Sequence, residues 1–262
     1  MTDLASTEEQ LKDLSIEELV KGDLKKPKKS KKMKSCEEGL KSEEKLKKPE
    51  NSNEGAKSKE KKKEKKEPKE PKFYRAHGPI PDKWLDYCGV GGRIAGTPFV
   101  AFKTPLTSSF TLDCQEEQFD LQDLFDSHKN IGLIVDLTFT YRYYDCKRVE
   151  KEYGVMHKKI ACGGHNVEEQ EDKYTMFRDT VIEFLNSTDE DKLVGVHCTH
   201  GLNRTGYMIC RFLIEELGWD AHKAIDAFEE ARGHQIERLN YKEDLFRRHK
   251  EIIAKESEAQ QE

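Results

Sequence analysis

A chain of 262 residues could hold one large domain or two small ones, but 37% of its residues are charged, against roughly 25% in ordinary globular proteins, so its whole length is not expected to pack around a core. The formal net charge is −5, yet residues 21–72 carry 21 Lys against 11 acidic residues, a local +10 that leaves −15 for the remainder. Seven cysteines with no C-x-x-C pair, no secretory-like leader and no apolar run near the roughly 18 residues that cross a bilayer argue against a disulfide-built secreted domain and a membrane span. These features imply a reducing intracellular compartment, nuclear or cytoplasmic, in which any contact with a membrane could only be electrostatic; a monomer is expected.

Residues 1–20 contain a short amphipathic pattern, Leu11, Leu14, Ile16, Leu19 and Val20 among acidic residues, which predicts a weak helix. From 21 to 72 the chain is Lys, Glu, Ser and Pro, with too little apolar area to offset the entropy of ordering, so 1–72 reads as a disordered arm, basic from residue 21 on. Its densest cluster, Lys25-Lys26-Pro27-Lys28-Lys29-Ser30-Lys31-Lys32, has the form of a nuclear-import signal or a polyanion-binding patch, the plainer alternative being a solubilising tail. Either way excess Lys on a mobile chain is drawn to nucleic acid by counterion release.

Residues 73–253 have the size and apolar content of one folded domain, and 254–262 read as a flexible tail. Short β-branched or aromatic runs predict strands at 98–103, 132–136, 155–161 and 193–197. Helical periodicity predicts helices at 174–185, with Phe177, Val181 and Phe184 on one face, at 204–217 before Gly218, at 221–232 capped by Asp220, and at 241–254. Strands interleaved with helices imply an α/β fold, a central mixed sheet flanked by helices.

The segment that carries chemistry is Val194-Gly195-Val196-His197-Cys198-Thr199-His200-Gly201-Leu202-Asn203-Arg204-Thr205-Gly206. Cys and Arg six residues apart are weak evidence by themselves; an apolar strand leading in and a helix beginning at once make the pattern specific. A tight loop entering a helix N-terminus turns several backbone N–H groups toward one point, where the helix dipole also favours an anion, and Gly201 and Gly206 permit backbone that side chains would block. Arg204 adds a planar, permanently charged fork able to hold two phosphate oxygens. The same dipoles favour the Cys198 thiolate, a nucleophile for phosphorus. Thr205 is placed to hydrogen-bond the sulfur as it leaves, and His197 to fix the loop from behind. No metal and no cofactor is required. The bland alternative for Cys198 is a buried structural cysteine; for His200, a loop residue at the pocket mouth without a catalytic part.

HCTHGLNRTG, residues 197–206, resembles the signature of the RNA 5′-triphosphatase branch of the cysteine phosphatases, dual-specificity-like enzymes that include the metazoan mRNA capping enzyme's triphosphatase domain, and it looks closer to the RNA/RNP-complex-interacting phosphatases. The likeness continues through Pro79-Ile80-Pro81-Asp82-Lys83-Trp84, residues 96–106, Asp136-Leu137-Thr138 with Arg142-Tyr143-Tyr144, Gly164-His165, and Arg232-Gly233-His234 with Ile236-Glu237-Arg238, covering about 74–250. It implies a cysteine phosphatase catalytic domain at 73–253 acting on 5′-triphosphorylated RNA, removing the γ and, in the closer branch, the β phosphate. RNA-processing protein complexes would be its partners. Position by position it makes Cys198 the nucleophile, Arg204 the clamp and Thr199, His200, Gly201, Leu202 and Asn203 the cradle. Arg142 and His165 fall where the family places groups near the pocket, although a surface ion pair or a capped turn explains each almost as well.

Tyrosine phosphatases carry an acidic Asp on an upstream loop, but residues 162–169 here read Cys-Gly-Gly-His-Asn-Val-Glu-Glu. A phosphoanhydride leaving group already spreads its charge over several oxygens and has less need of a proton than an alkoxide. Asp136 is the candidate acid, with capping of the turn after its strand as the alternative reading. Arg142, Arg204, Arg211, Arg232 and Arg238 are candidates for a basic rim in an otherwise acidic domain. A dual-specificity protein phosphatase, and a non-catalytic module that holds RNA ends or a protein, are the competing functions.

Overall fold

The computed structural model describes residues 80–110, 118–164 and 166–260; the arm at 1–72, its basic cluster and His165 lie outside them. Among the described residues five strands form one mixed sheet: β1 (Val90–Arg93), β2 (Phe99–Lys103), β3 (Ile131–Asp136), β4 (Met156–Lys159) and β5 (Leu193–Cys198). Their spatial order is β1-β2-β5-β3-β4, with β1 antiparallel to β2 and all other pairs parallel. Central parallel strands are covered on both faces, which is why every residue of β5 is buried and the sequence there is nearly unbroken apolar.

The two-residue period of β2 divides the core. Phe99 and Ala101 join one hydrophobic cluster, Val100 and Phe102 the other. The first face is covered by α3 (Glu171–Ser187), α4 (Asn203–Glu215), α5 (Ala221–Arg232) and α6 (Leu239–Ala259), and the second by α1 (Leu121–Ser127), α2 (Cys146–Tyr153) and the loops around Trp84 and Leu106. Each fully buried aromatic or aliphatic side chain contributes about 1.5–3 kcal/mol of transfer free energy. Helix α4 is buried on all sides: every residue from Thr205 to Ile214 is covered, the ion-paired Arg211 included. It stands at the centre of the helical layer with its N-terminus at the end of β5.

The mixed sheet and flanking helices match the α/β expectation. The β1 strand was not legible, because its Val-Gly-Gly-Arg sequence looks like a turn; a Cβ on Gly91 would lie 2.6 Å from the Ala231 carbonyl, so glycine is what lets the end of α5 cross the strand. Helices α1 and α2 are short and carry their information in caps: Asp120 and Asp123 form a capping box, and Asp145 caps α2, which ends at Gly154 with φ +66°. Asp220 caps α5 as expected, accepting from the His222 and Lys223 amides. The last helix runs to Ala259, so residues 254–259, read from sequence as a flexible tail, continue it; the polar Lys-Glu-Ser-Glu-Ala run is a good helix former despite having no apolar face to bury.

Candidate active site

At the C-terminal end of β5 the chain makes a tight loop from Cys198 to Leu202 and enters α4 at Asn203. Gly201 turns it with φ +69°, and a Cβ there would sit 2.1 Å from the Phe102 carbonyl oxygen, so the position admits no side chain. Three further anchors hold the loop. The Thr104 amide donates to the Thr199 carbonyl at 3.1 Å. Buried Arg232 donates from Nε to the Gly201 carbonyl at 3.1 Å, and from Nη2 to the carbonyls of His200 at 3.0 Å and Cys88 at 2.7 Å. The Asn203 side chain accepts from the amides of Glu237 and Arg238 at 2.9 and 3.0 Å. With its outer carbonyls engaged by Arg232, the loop leaves amides for the inner side.

His197 orients the loop from behind, and chemistry fixes its tautomer. Nδ1 lies 3.2 Å from the Cys198 carbonyl, which can only accept, so Nδ1 carries the proton and Nε2 is bare. Tyr144 Oη, 2.7 Å from that Nε2, must donate to it, and therefore accepts from His157 Nε2 at 2.9 Å. Burial keeps both imidazoles neutral, pushing His157 down to about 4 and His197 below its ordinary range in spite of nearby Asp136. With the Cys198 carbonyl tied to imidazole, the planar peptide turns the Thr199 N–H the opposite way.

Cys198 itself is buried, and burial alone would raise its thiol pKa. The Arg204 guanidinium, the Thr205 hydroxyl and the amides of Thr205 and His200 more than offset that and hold it below the usual thiol range. The buried Thr205 Oγ1 has no oxygen or nitrogen partner, which leaves its proton for the sulfur. At Cys162 and Cys210 burial outweighs what favours the anion and pushes the thiols the other way, Cys162 to about 12. Arg204 reaches across the mouth, donating from Nη1 to the carbonyls of Leu137 at 3.0 Å and Cys162 at 3.2 Å and from Nη2 to Thr199 Oγ1 at 3.2 Å.

Asp136 is not a proton donor. Its Oδ1 accepts from the Thr138 amide at 2.8 Å and its Oδ2 from Lys159 Nζ at 2.8 Å. Although burial opposes it, the Lys159 ammonium and these hydrogen bonds keep the carboxyl below its usual range, an anion that caps its own turn. The expected role of general acid is therefore corrected to a structural one. The basic rim is also smaller than expected. Arg211 is buried against Glu171 and Glu215, at 2.5 and 2.7 Å, and Arg232 is the buried brace described above. Arg142 is exposed on the loop after β3, with its guanidinium 5.1 Å from the Tyr143 ring. His200 faces outward, Nε2 donating to the Asp82 carbonyl at 2.7 Å. Tyr144, His157, Lys159 and Arg232 were not picked out from sequence as site-positioning groups. Tyr144 and Arg232 stand in stretches that resemble the family, but neither stretch shows what these side chains hold, and only the fold brings all four behind the loop.

A cysteine at a strand end, its thiol acidified by loop amides, a helix start and an arginine, defines a cysteine phosphatase, and the sequence agrees. Residues 115–251, just over half of the chain, match the family described as "Dual specificity phosphatase, catalytic domain", and the chain belongs to that family. Among curated relatives it is 48% identical over 177 residues to the "RNA/RNP complex-1-interacting phosphatase homolog" of Caenorhabditis elegans, a match covering 64% of this chain and 75% of that protein. It is 48% identical over 172 residues to the Homo sapiens "RNA/RNP complex-1-interacting phosphatase", covering 63% and 51%. The "Tyrosine-protein phosphatase" of Autographa californica nuclear polyhedrosis virus is 41% identical over 169 residues, covering 64% and 99%. The chain thus spans about half the length of the mammalian relatives it matches. The resemblance drawn from residues 197–206 is borne out.

Proposed function

We propose that this phosphatase removes terminal phosphates from 5′-triphosphorylated RNA, first the γ and then the β phosphate, through a phosphocysteine intermediate. Cys198 Sγ attacks the terminal phosphorus in line while Arg204 and the loop amides hold its non-bridging oxygens. The bond to the bridging oxygen breaks, and its electron pair leaves with the shortened RNA end. Water then attacks the phosphocysteine, the S–P bond breaks toward sulfur, and the water proton goes to the released phosphate. Thr205 hydrogen-bonds the returning thiolate.

The state of the carboxylates carries this reading. Asp136 is held ionised beside Lys159, and Glu237, which accepts from Tyr87 and Asn203, is likewise held below its usual range, chiefly by Tyr87. Neither is poised to give up a proton near neutrality, and a substrate whose leaving group is itself a phosphate has the least need of one. The relatives named for an RNA/RNP complex point the same way. A reducing nuclear or cytoplasmic setting and a monomeric state go with this proposal.

The viral relative named as a tyrosine-protein phosphatase supports the second reading, a dual-specificity protein phosphatase using the same nucleophile. Phosphate release from a short triphosphorylated RNA and from a phosphotyrosine peptide, at equal concentration and with chelator present, separates the two. RNA is expected to be the faster substrate and Cys198→Ser to abolish its turnover; preference for the peptide overturns the proposal.

A further inference from the structure

The loop that follows β3 leaves the sheet beside the nucleophile and is tied down along its length. Leu137 N donates to the His197 carbonyl at 2.8 Å, and its own carbonyl accepts from Arg204 Nη1 at 3.0 Å. Lys159 Nζ donates to Thr138 Oγ1 and to the Thr140 carbonyl, both at 2.6 Å, and the Arg142 amide donates to Thr140 Oγ1 at 3.2 Å. Beyond it, buried Tyr143 and Tyr144 pin the segment to the core. Yet this fixed loop holds its apolar side chains out to solvent. Phe139 is 75% exposed, more than any other large hydrophobic side chain among the described residues, and Tyr141 is 51% exposed. Exposure on that scale contributes nothing to folding, and a loop braced by five hydrogen bonds cannot turn Phe139 inward without breaking them.

We infer that Phe139, with Tyr141 beside it, is a stacking platform for the base of the first nucleotide of the RNA whose 5′ phosphates enter the Cys198 pocket. The inference rests on the reading of the substrate given above and extends it to the nucleoside. Phe139 follows Leu137 by two residues, a backbone span of at most about 7 Å, so its ring is within reach of a nucleoside whose terminal phosphate is held by Arg204. Every base offers a π face, so the contact is indifferent to sequence, as an enzyme that reads only an end requires. A neighbouring cation suits a polyanion. Arg142 is exposed on the same loop, while Lys159, 4.7 Å from the centre of the Tyr141 ring, is spent on Asp136 and on holding the loop. Because the loop is already ordered, little conformational entropy is lost when a base settles on it.

Steady-state turnover by the full chain of a short triphosphorylated RNA and of inorganic tripolyphosphate, which has the anhydride but no base, tests the platform. Phe139→Ala is expected to raise KM for the RNA roughly tenfold, the size of one lost stacking contact, and to leave kcat near that of the parent. Tripolyphosphate turnover should not respond, and Phe139→Trp should restore RNA binding. An equal loss on both substrates, no loss on either, or a loss confined to a phosphotyrosine peptide overturns the inference. Should the parent chain fail to hydrolyse the RNA at all, the proposed function falls. Binding of the same RNA to the Cys198→Ser chain, with and without Phe139→Ala, still decides the stacking: a weakening of roughly tenfold sustains it and unchanged affinity overturns it.

Discussion

A single deduced proton position explains much of the site. Because the Cys198 carbonyl can only accept, His197 must be protonated on Nδ1, and that choice propagates through Tyr144 to His157 without a free donor or acceptor along the way. The chain works only while both imidazoles stay neutral, which ties stability to pH. His157 has a folded pKa of about 4 against 6.5 for the free side chain, mainly through burial. Its contribution is therefore complete above about pH 6.5, where both states are neutral, and is lost as pH falls toward 4, because the unfolded chain takes up a proton that the folded one refuses. The shift corresponds to about 3 kcal/mol. Urea unfolding at pH 7.5 and pH 5 should show the loss, and His157→Gln should flatten the profile over that interval while lowering stability at pH 7.5.

Among the elements, the β5 strand, the loop and α4 were legible because their residues are local: an apolar run, Cys198, Gly201, Arg204 and a helix pattern in unbroken order. What supports them was not. Arg232 reads as one more surface cation at the end of a helix, and only the packing of α5 against β1 turns its guanidinium into a brace for the carbonyls of Cys88, His200 and Gly201, at the cost of a pKa driven down to about 10 by burial. Asp136 read as an acid for a similar reason, since the β4 residue that neutralises it, Lys159, lies on a neighbouring strand rather than nearby in sequence. The loop's dependence on its glycine makes a strong prediction. Gly201→Ala forces a side chain into the left-handed region and into the Phe102 carbonyl. The strained backbone alone costs about 1–3 kcal/mol. Turnover should fall by at least about tenfold with a matching drop in melting temperature, as read by phosphate release and by thermal unfolding.

At the scale of the whole molecule, charge is divided along the chain. The domain is acidic, the stretch at 21–72 carries a formal +10, and two of the arginines that looked available to a rim, Arg211 and Arg232, are consumed inside the fold. If RNA is the substrate, as proposed, its electrostatic attraction falls to the stretch at 21–72 together with exposed cations around Arg142. Raising monovalent salt should increase KM for triphosphorylated RNA along a linear log–log line, and a chain beginning at residue 73 should show a shallower slope with kcat unchanged. Parallel lines for the two chains would remove the basic stretch from substrate capture. Helix α4 gives the architecture a further property. The helix whose first turn receives the phosphate is also the one every other helix of its layer packs around, so the reactive loop has no separate, softer unit in which to come apart. Heat should then extinguish hydrolysis and cooperative structure together, and variation that retunes this enzyme has room to act on the walls of the pocket but not on its floor.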